Sequence, residues 1–444
     1  MRTTVNVEEI LGKTINCLMD KWLWKAIEVL EHLYAKHPSL IGHGEFDSIR
    51  NDYRLMVDYM GRGYADSQRE ALYSTLLQRL YRVAANLEIS WRCKNIGAYI
   101  DAFRVSAHLN MSQDFIRTVL ETFVSDVAML SLLPESTRQQ RQTEIYDRHQ
   151  QFVNRLFNAL WTSCQWTEED CVFYTDLLLS PTVVSGDQQI IASAISLGAM
   201  NQFDINKFKT LVSVYRRASD EYVRQRALVG WVLSVFEEMD IFAEQDAVVR
   251  ELCSDSSITR ELLTLQIQFF YSQDAEKDND KIQRDIMPDI MRNSNLAVGR
   301  LGIIEKEEDA LENILHQDAE DRRMEQMEEK VRKMMDMQKQ GSDIYFGGFR
   351  QMKRFPFFNE VVNWFTPFYL EHPALRPVMR NFGDSNFLRI LMDKGNFCES
   401  DKYSFALALE HIINQLPENM KEVMESEDVL GPLAATEDPQ DAVS

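Results

Sequence analysis

The chain has 444 residues, 45% hydrophobic and 26% charged, with a formal net charge of −21. With only 17 glycines and 11 prolines, it lacks the turn residues that sheet architectures need, and long helices with short connections are expected instead. The acidic balance opposes nonspecific attraction to nucleic-acid phosphates or anionic lipid. No run approaches the roughly 20 apolar residues that cross a bilayer, and the six scattered cysteines fit reduced thiols in a cytoplasmic protein.

The expected fold class is all-α: an α-solenoid of tetratricopeptide- and HEAT-like helical hairpins, a long charged connecting helix and a C-terminal aromatic-rich helical domain. Residues 1–135 read as N-terminal hairpins. There Ala26, Leu30, Leu33 and Pro38 follow the small-then-large pattern of a tetratricopeptide helix, closed by proline. Gly61 and Gly63 break a helix, Ser67 with Glu70 forms a capping box for the next, and Leu72, Leu76, Leu80, Val83 and Leu87 share one face.

Residues 136–303 read as HEAT-like repeats. "DQQIIASAISL" from Asp187 and "DEYVRQRALVG" from Asp220 are offset by 33 residues, which aligns Ile190 with Val223, Ala194 with Ala227 and Ile195 with Leu228. A weaker third copy begins at Asp255 with Ile258 and Leu262. Such pairs stack because one pair cannot bury its apolar face alone. Residues 304–341 are acidic first and basic later, the order that suits a helix dipole, and predict a charged connecting helix. Residues 342–424 are the aromatic-rich domain, and 425–444 an acidic disordered tail.

Within that domain, Phe355–Pro373 carries seven aromatic side chains in nineteen residues. Pro356 suits the first turn of a helix and Pro367 ends it. Phe357, Phe358, Val361, Trp364, Phe365 and Phe368 then surround more than half of one short helix, which needs cover on several sides. The helix after it, capped by Ser400 or Asp401 and striped by Phe405, Leu409, Ile412 and Leu416, is expected to supply that cover.

The segment "DIYFGGFRQMKRFPFFNEVVNWFTPFYLEHP", followed by "GNFCESDKYSFALAL", resembles the central block of long, largely uncharacterised helical-repeat proteins of Bacteroidota. The blocks "YRLMVDYMGRGYADSQREALYSTLLQRLY" and "VRQRALVGW" stand in similar order in that group. The resemblance implies a helical-repeat fold and brings no catalytic residues. It also implies that a further repeat array has been lost or is supplied by a companion repeat protein.

Motifs for phosphate loops, dinucleotides and zinc proteases are absent. Cys164 and Cys171 have no second pair at zinc spacing, and His32, His37 and His43 are not spaced as same-face ligands. No cofactor or metal is expected. One basic strip stands out, Lys207, Lys209, Arg216, Arg217, Arg224 and Arg226, with Glu237 and Glu238 as nearby acids. The expected function is a noncatalytic helical-repeat scaffold that binds a protein or peptide. Candidate contacts are Phe357, Phe358, Trp364, Phe365, Phe368 and Tyr369 in the aromatic block, with Arg216, Arg217 and Arg224 in the strip. The alternatives are an enzyme with an unfamiliar helical site and a nucleic-acid-binding solenoid, the latter disfavoured by net charge. A membrane partner is not expected.

Overall fold

Three- and four-residue apolar spacing becomes helix almost throughout the computed structural model, which describes residues 7–63, 67–236, 241–281, 284, 296–299, 302–305, 353, 355–382 and 398–413. The chain divides into two units, residues 1–258 and 259–444.

The first unit opens with α1 (Val7–Met19), α2 (Leu23–Lys36), α3 (His43–Gly61), α4 (Arg69–Asn95) and α5 (Gly97–Ser106). Helix α2 buries Ala26, Leu30 and Leu33 and stops at His37, before Pro38. Gly63, at φ +77°, takes the left-handed conformation just after α3. The capping box expected from Ser67 and Glu70 does not form. Helix α4 begins at Arg69 with Gln68 at the cap and no side-chain cap hydrogen bond, whereas that pair serves only a helix starting one residue earlier. Leu76, Leu80, Val83 and Leu87 are buried, but Leu72, in the first turn, is 38% exposed.

Helices α6 (Gln113–Met129), α7 (Glu135–Trp161), α8 (Glu168–Leu178), α9 (Ser185–Asn201), α10 (Ile205–Arg217), α11 (Glu221–Ser234) and α12 (Ala243–Cys253) follow. Here α7 packs on α9 and α9 on α11, while α8 packs on α10. Alternate helices thus stand side by side in two rows. The aligned residues Ile190, Ala194 and Ile195 on α9, and Val223, Ala227 and Leu228 on α11, are all at most 3% exposed. The aspartates that begin the two copies act differently. Asp220 caps α11 by accepting from the Val223 amide at 3.0 Å, whereas Asp187 lies inside α9 and bonds His149. The third copy does not repeat the pattern, because Ile258 and Leu262 are only half-buried at the start of α13 (Ser256–Lys281).

A buried polar knot fixes the end of α7. Asp204 caps α10 through the amides of Asn206 and Lys207 at 2.9 and 3.2 Å, and accepts from the Trp166 amide at 2.7 Å. Lys207, 2% exposed, donates its Nζ to the carbonyls of Ser163 and Cys164 at 3.2 and 3.3 Å. Burial lowers its pKa, and Asp204, 3.9 Å away, opposes that shift.

In the second unit, β1 (Leu296–Gly299) and β2 (Gly302–Glu305) form an antiparallel hairpin in which Leu296 pairs with Glu305 and Gly299 with Gly302. It is the one strand pairing among the described residues, in a segment where Val298, Ile303 and Ile304 favour extended backbone. Ile304 and Glu305 therefore start in a strand. The rest of the expected connecting helix, 306–341, and the acidic tail lie outside the described residues.

The single helix expected between Pro356 and Pro367 is replaced by two 3-10 turns, Pro356–Asn359 and Val361–Trp364, with Glu360 extended between them. Side-chain bonds span the break: Asn363 Nδ2 donates to the Phe357 carbonyl at 2.8 Å and Trp364 Nε1 to that of Phe358 at 2.9 Å. In an α-helix residues six apart lie on different faces and about 9 Å apart along the axis, so these bonds need the folded-back path that the two turns give. After them come α14 (Arg376–Phe382) and α15 (Glu399–Ile413). Ser400 and Asp401 sit within the first turn of α15 rather than at its cap. Its buried face is Tyr403, Ala406 and Leu407, with Phe405 only partly covered. The side chains of Leu409 and Ile412, and Leu416 itself, lie outside the described residues.

Helices α9 and α11 approach closely at Gly230, where an added Cβ stands 2.0 Å from Ser196 Oγ and 2.8 Å from its Cβ. Rotating the hydroxyl relieves only the first contact, so the helices must part. Overpacking costs about 1–3 kcal/mol, against the ~1 kcal/mol that alanine gains over glycine within a helix. Gly230→Ala is expected to lower the urea midpoint followed by circular dichroism, and Ser196→Gly added to it to recover part of the loss. An unchanged midpoint would show that the two helices are not locked at this point.

Candidate functional site

Helix α6 is anchored by a thin stripe, with only Ile116 and Leu120 buried among its residues. Helix α7 has its first buried residue at Ile145, three turns in, and is then buried along Phe152, Val153, Leu156 and Phe157. Because the stripe on α6 is narrow and the start of α7 is polar, the two helices enclose a groove instead of closing on one another. The cavity measures about 580 Å3, a volume within the range of binding sites.

The floor is apolar and aromatic. Phe115, Val119 and Phe123 of α6 face Ile145 and Phe152 of α7. Phe115 meets Phe152 edge-on at 6.1 Å, and Phe123 meets Tyr146 edge-on at 5.4 Å. Phe123 also lies flat on the His149 imidazole, 3.5 Å between centroids and 8° between planes. His149 Nε2 is 2.9 Å from Asp187 Oδ1 on α9. His149 Nδ1 and Asp187 Oδ2 are buried with no hydrogen-bond partner.

Three guanidinium groups line the groove, those of Arg141, Arg148 and Arg155. Arg148 bridges to Asp126 on α6 at 2.6 Å, and Arg141 pairs with Glu144 at 3.3 Å along its own helix. Arg155 donates to the Ala107 carbonyl at 2.9 Å, which ties the α5–α6 connection to α7. The sequence reading missed this site. Its signal was an arginine every seventh residue from 141 to 155, interleaved with Ile145, His149 and Phe152.

The expected contact residues fall elsewhere. In the second unit Phe358 is buried with Leu375, Val378, Tyr403, Ala406 and Leu407, and Phe357 and Phe368 pack against that cluster. Phe365 and Tyr369 are half-buried, and Trp364 is 47% exposed. Lys353 sits 4.6 Å over the Phe358 ring and pairs with Asp401 at 2.8 Å. Most of the block is therefore core, and Trp364 is its open face.

The basic residues do not form a common strip. Lys207 is the buried donor to the Ser163 and Cys164 carbonyls described above, and Lys209 pairs with Glu244. Arg216 pairs with Glu251 at 2.9 Å. Arg224 takes both oxygens of Glu221 at 2.9 Å and lies 5.4 Å over Tyr215. Arg226 donates to Ser193 Oγ at 2.9 Å, and Arg217 is exposed. Glu237 and Glu238, the expected partners, lie outside the described residues.

Among the described residues, no cluster of three or more His, Cys, Asp or Glu side chains is placed to hold a metal ion. None of the described helices is long and apolar enough to cross a membrane. None of the six cysteines is in a disulfide. Comparison with protein-family models, curated proteins and solved structures finds no match to the chain.

His372 gives the second unit a titratable core. Its Nδ1 accepts from the Ala374 amide at 3.1 Å. Its ring packs edge-on against Phe357 and Tyr403. Burial, and then Arg376, lowers its pKa to about 4. An unfolded histidine titrates near ~6.5, so the unfolded chain takes the proton first. The stability of the neutral ring is whole above about pH 6.5 and is lost as pH falls toward 4, about 3 kcal/mol at full extent. His372→Asn keeps a cap acceptor and does not titrate. Hydrogen-exchange protection factors over 355–382 are expected to fall between pH 6.5 and 4.5 in the wild type and to stay level in the variant. Equal declines would dismiss the histidine as the cause.

Proposed function

We propose that the protein is a noncatalytic helical-repeat scaffold whose α6–α7 groove receives a segment of another protein. The observation that carries this reading is an open groove with an aromatic floor and an arginine rim between two helices of the first unit. Partner anchors of the kind that dominate interface energetics, large apolar groups desolvated in a central pocket, match such a floor. The side-by-side packing of α7, α9 and α11 over α8 and α10 supports a HEAT-like stack, as does the resemblance to helical-repeat proteins of Bacteroidota. The groove's polar groups serve mainly to hold the helices. His149 binds Asp187, Arg148 binds Asp126 and Arg155 binds a backbone carbonyl. The buried His149 Nδ1 offers a substrate no open approach for proton transfer, which favours binding over catalysis.

Phe115, 39% exposed, can be changed with little risk to the core. Affinity purification with mass spectrometry is expected to recover a stoichiometric protein partner with the intact chain, and at least about tenfold less with Phe115→Asp, the loss of one desolvated aromatic anchor. Trp364→Ala is expected to retain that partner. Equal recovery with Phe115→Asp, or loss confined to Trp364→Ala, would remove the groove as the binding surface.

A further inference from the structure

The walls of the groove specify its occupant, on the premise that the groove is the partner site. Arg141, Arg148 and Arg155 recur every seven residues on α7. Seven residues are two helical turns, so the three stand in nearly one row, about 10.5 Å apart and spanning about 21 Å. Across from them, Phe115, Val119 and Phe123 recur every four residues on α6. An apolar channel of helical length with guanidinium groups along one rim fits a particular kind of chain. We infer that the α6–α7 groove binds an acidic amphipathic helix of a partner protein, about fourteen residues long, with its apolar stripe on the floor and its carboxylates toward α7.

Guanidinium forks match carboxylates in plane and can hold them by two hydrogen bonds, so a spaced row of arginines sets register as well as charge preference. Two members of the row already hold surface carboxylates, Asp126 and Glu144. Exchanging one exposed ion pair for another changes little free energy. Affinity therefore comes from covering the aromatic floor, and the arginines decide polarity and alignment. His149, which lines the groove and is 7% exposed, is held by Asp187 and supports Phe123 from beneath, so it shapes the floor under the row and leaves recognition to the arginines and the aromatic rings.

A phage-displayed library of helices about fourteen residues long, with leucines fixed at amphipathic spacing and Glu, Gln or Lys allowed on the flanks, panned against the full-length protein, tests this. Glutamate is expected to be enriched over lysine on the flank toward α7. Enriched peptides should lose at least about fivefold in affinity against Arg141→Glu/Arg148→Glu, and that variant should select lysine instead. Both arginines are exposed, and circular dichroism checks the fold. If the double reversal unfolds, Arg141→Gln/Arg148→Gln reads the same loss in smaller measure. Equal recovery of Glu and Lys clones, no clones above background, or affinity unmoved by the arginine changes would overturn the acidic helix. If a native partner is lost with Phe115→Asp yet indifferent to both arginine variants, the groove remains the binding surface and the acidic occupant falls.

Discussion

The first unit depends on one buried ammonium group. Helix α7 runs into the core and stops at Trp161, leaving carbonyls with no intrahelical partner. Just beyond that end, Lys207 reaches across from α10 to the loop carbonyls of Ser163 and Cys164. A full positive charge at the C-terminal end of a helix also opposes its dipole. Removing the charge would leave two carbonyls without their donor and Asp204, still bonded to three amides, without a counter-charge in a dry site, and breaking a buried pair in this way costs about 3–5 kcal/mol. Asp204 has a second task, because it caps α10 and holds the Trp166 amide. Two helices and a loop are thus fixed by one acid and one base that lie three residues apart.

A separate set of polar contacts joins α7, α9 and α11 beside the groove. His149 on α7 bonds Asp187 on α9, and Ser185 on α9 donates to Asp220, the cap of α11, at 2.7 Å. Arg226 on α11 returns to Ser193 on α9. These bonds bring together helices whose apolar faces alone would permit sliding. Apolar packing is non-directional, while a hydrogen bond has a preferred length and angle. The His149 ring is also the surface on which Phe123 lies, so the floor of the groove is set by the same contact that joins α7 to α9.

The class of fold and its central seam were legible because helical burial writes a simple period. Ala194 and Ala227 are small where α9 and α11 approach, and the apolar residues around them are buried as their spacing required. Three features were not legible, for separate reasons. The aromatic block obeyed a helical period, but the chain folds into two 3-10 turns bridged by the Asn363 and Trp364 side chains, bonds that periodicity does not register. The basic residues from Lys207 to Arg226 looked like a strip in one dimension. Their pairing with Glu251, Glu244 and Ser193 depends on neighbours distant in sequence. The groove between α6 and α7 was missed because its two walls lie on different helices and neither is conspicuous alone. An arginine every seventh residue reads as an ordinary solvated face until Phe115 and Phe123 are seen across from it.

Net charge is a poor guide to what such a groove attracts. A balance of −21 sets the far field of the molecule, but salt limits the reach of exposed charges to about 8 Å at physiological ionic strength. Successive arginines of the row are about 10.5 Å apart along the helix, so each guanidinium answers mainly to the charges within its own turn or two. Arg148 has Asp126, Arg141 has Glu144, and Arg155 is engaged by a neutral carbonyl. An acidic protein can therefore carry a local cationic rim without contradiction. If the groove takes the proposed short acidic helix, the surrounding negative charge would act as a filter, opposing extended polyanions that must cross much of the surface more than a ligand whose charges end within the groove.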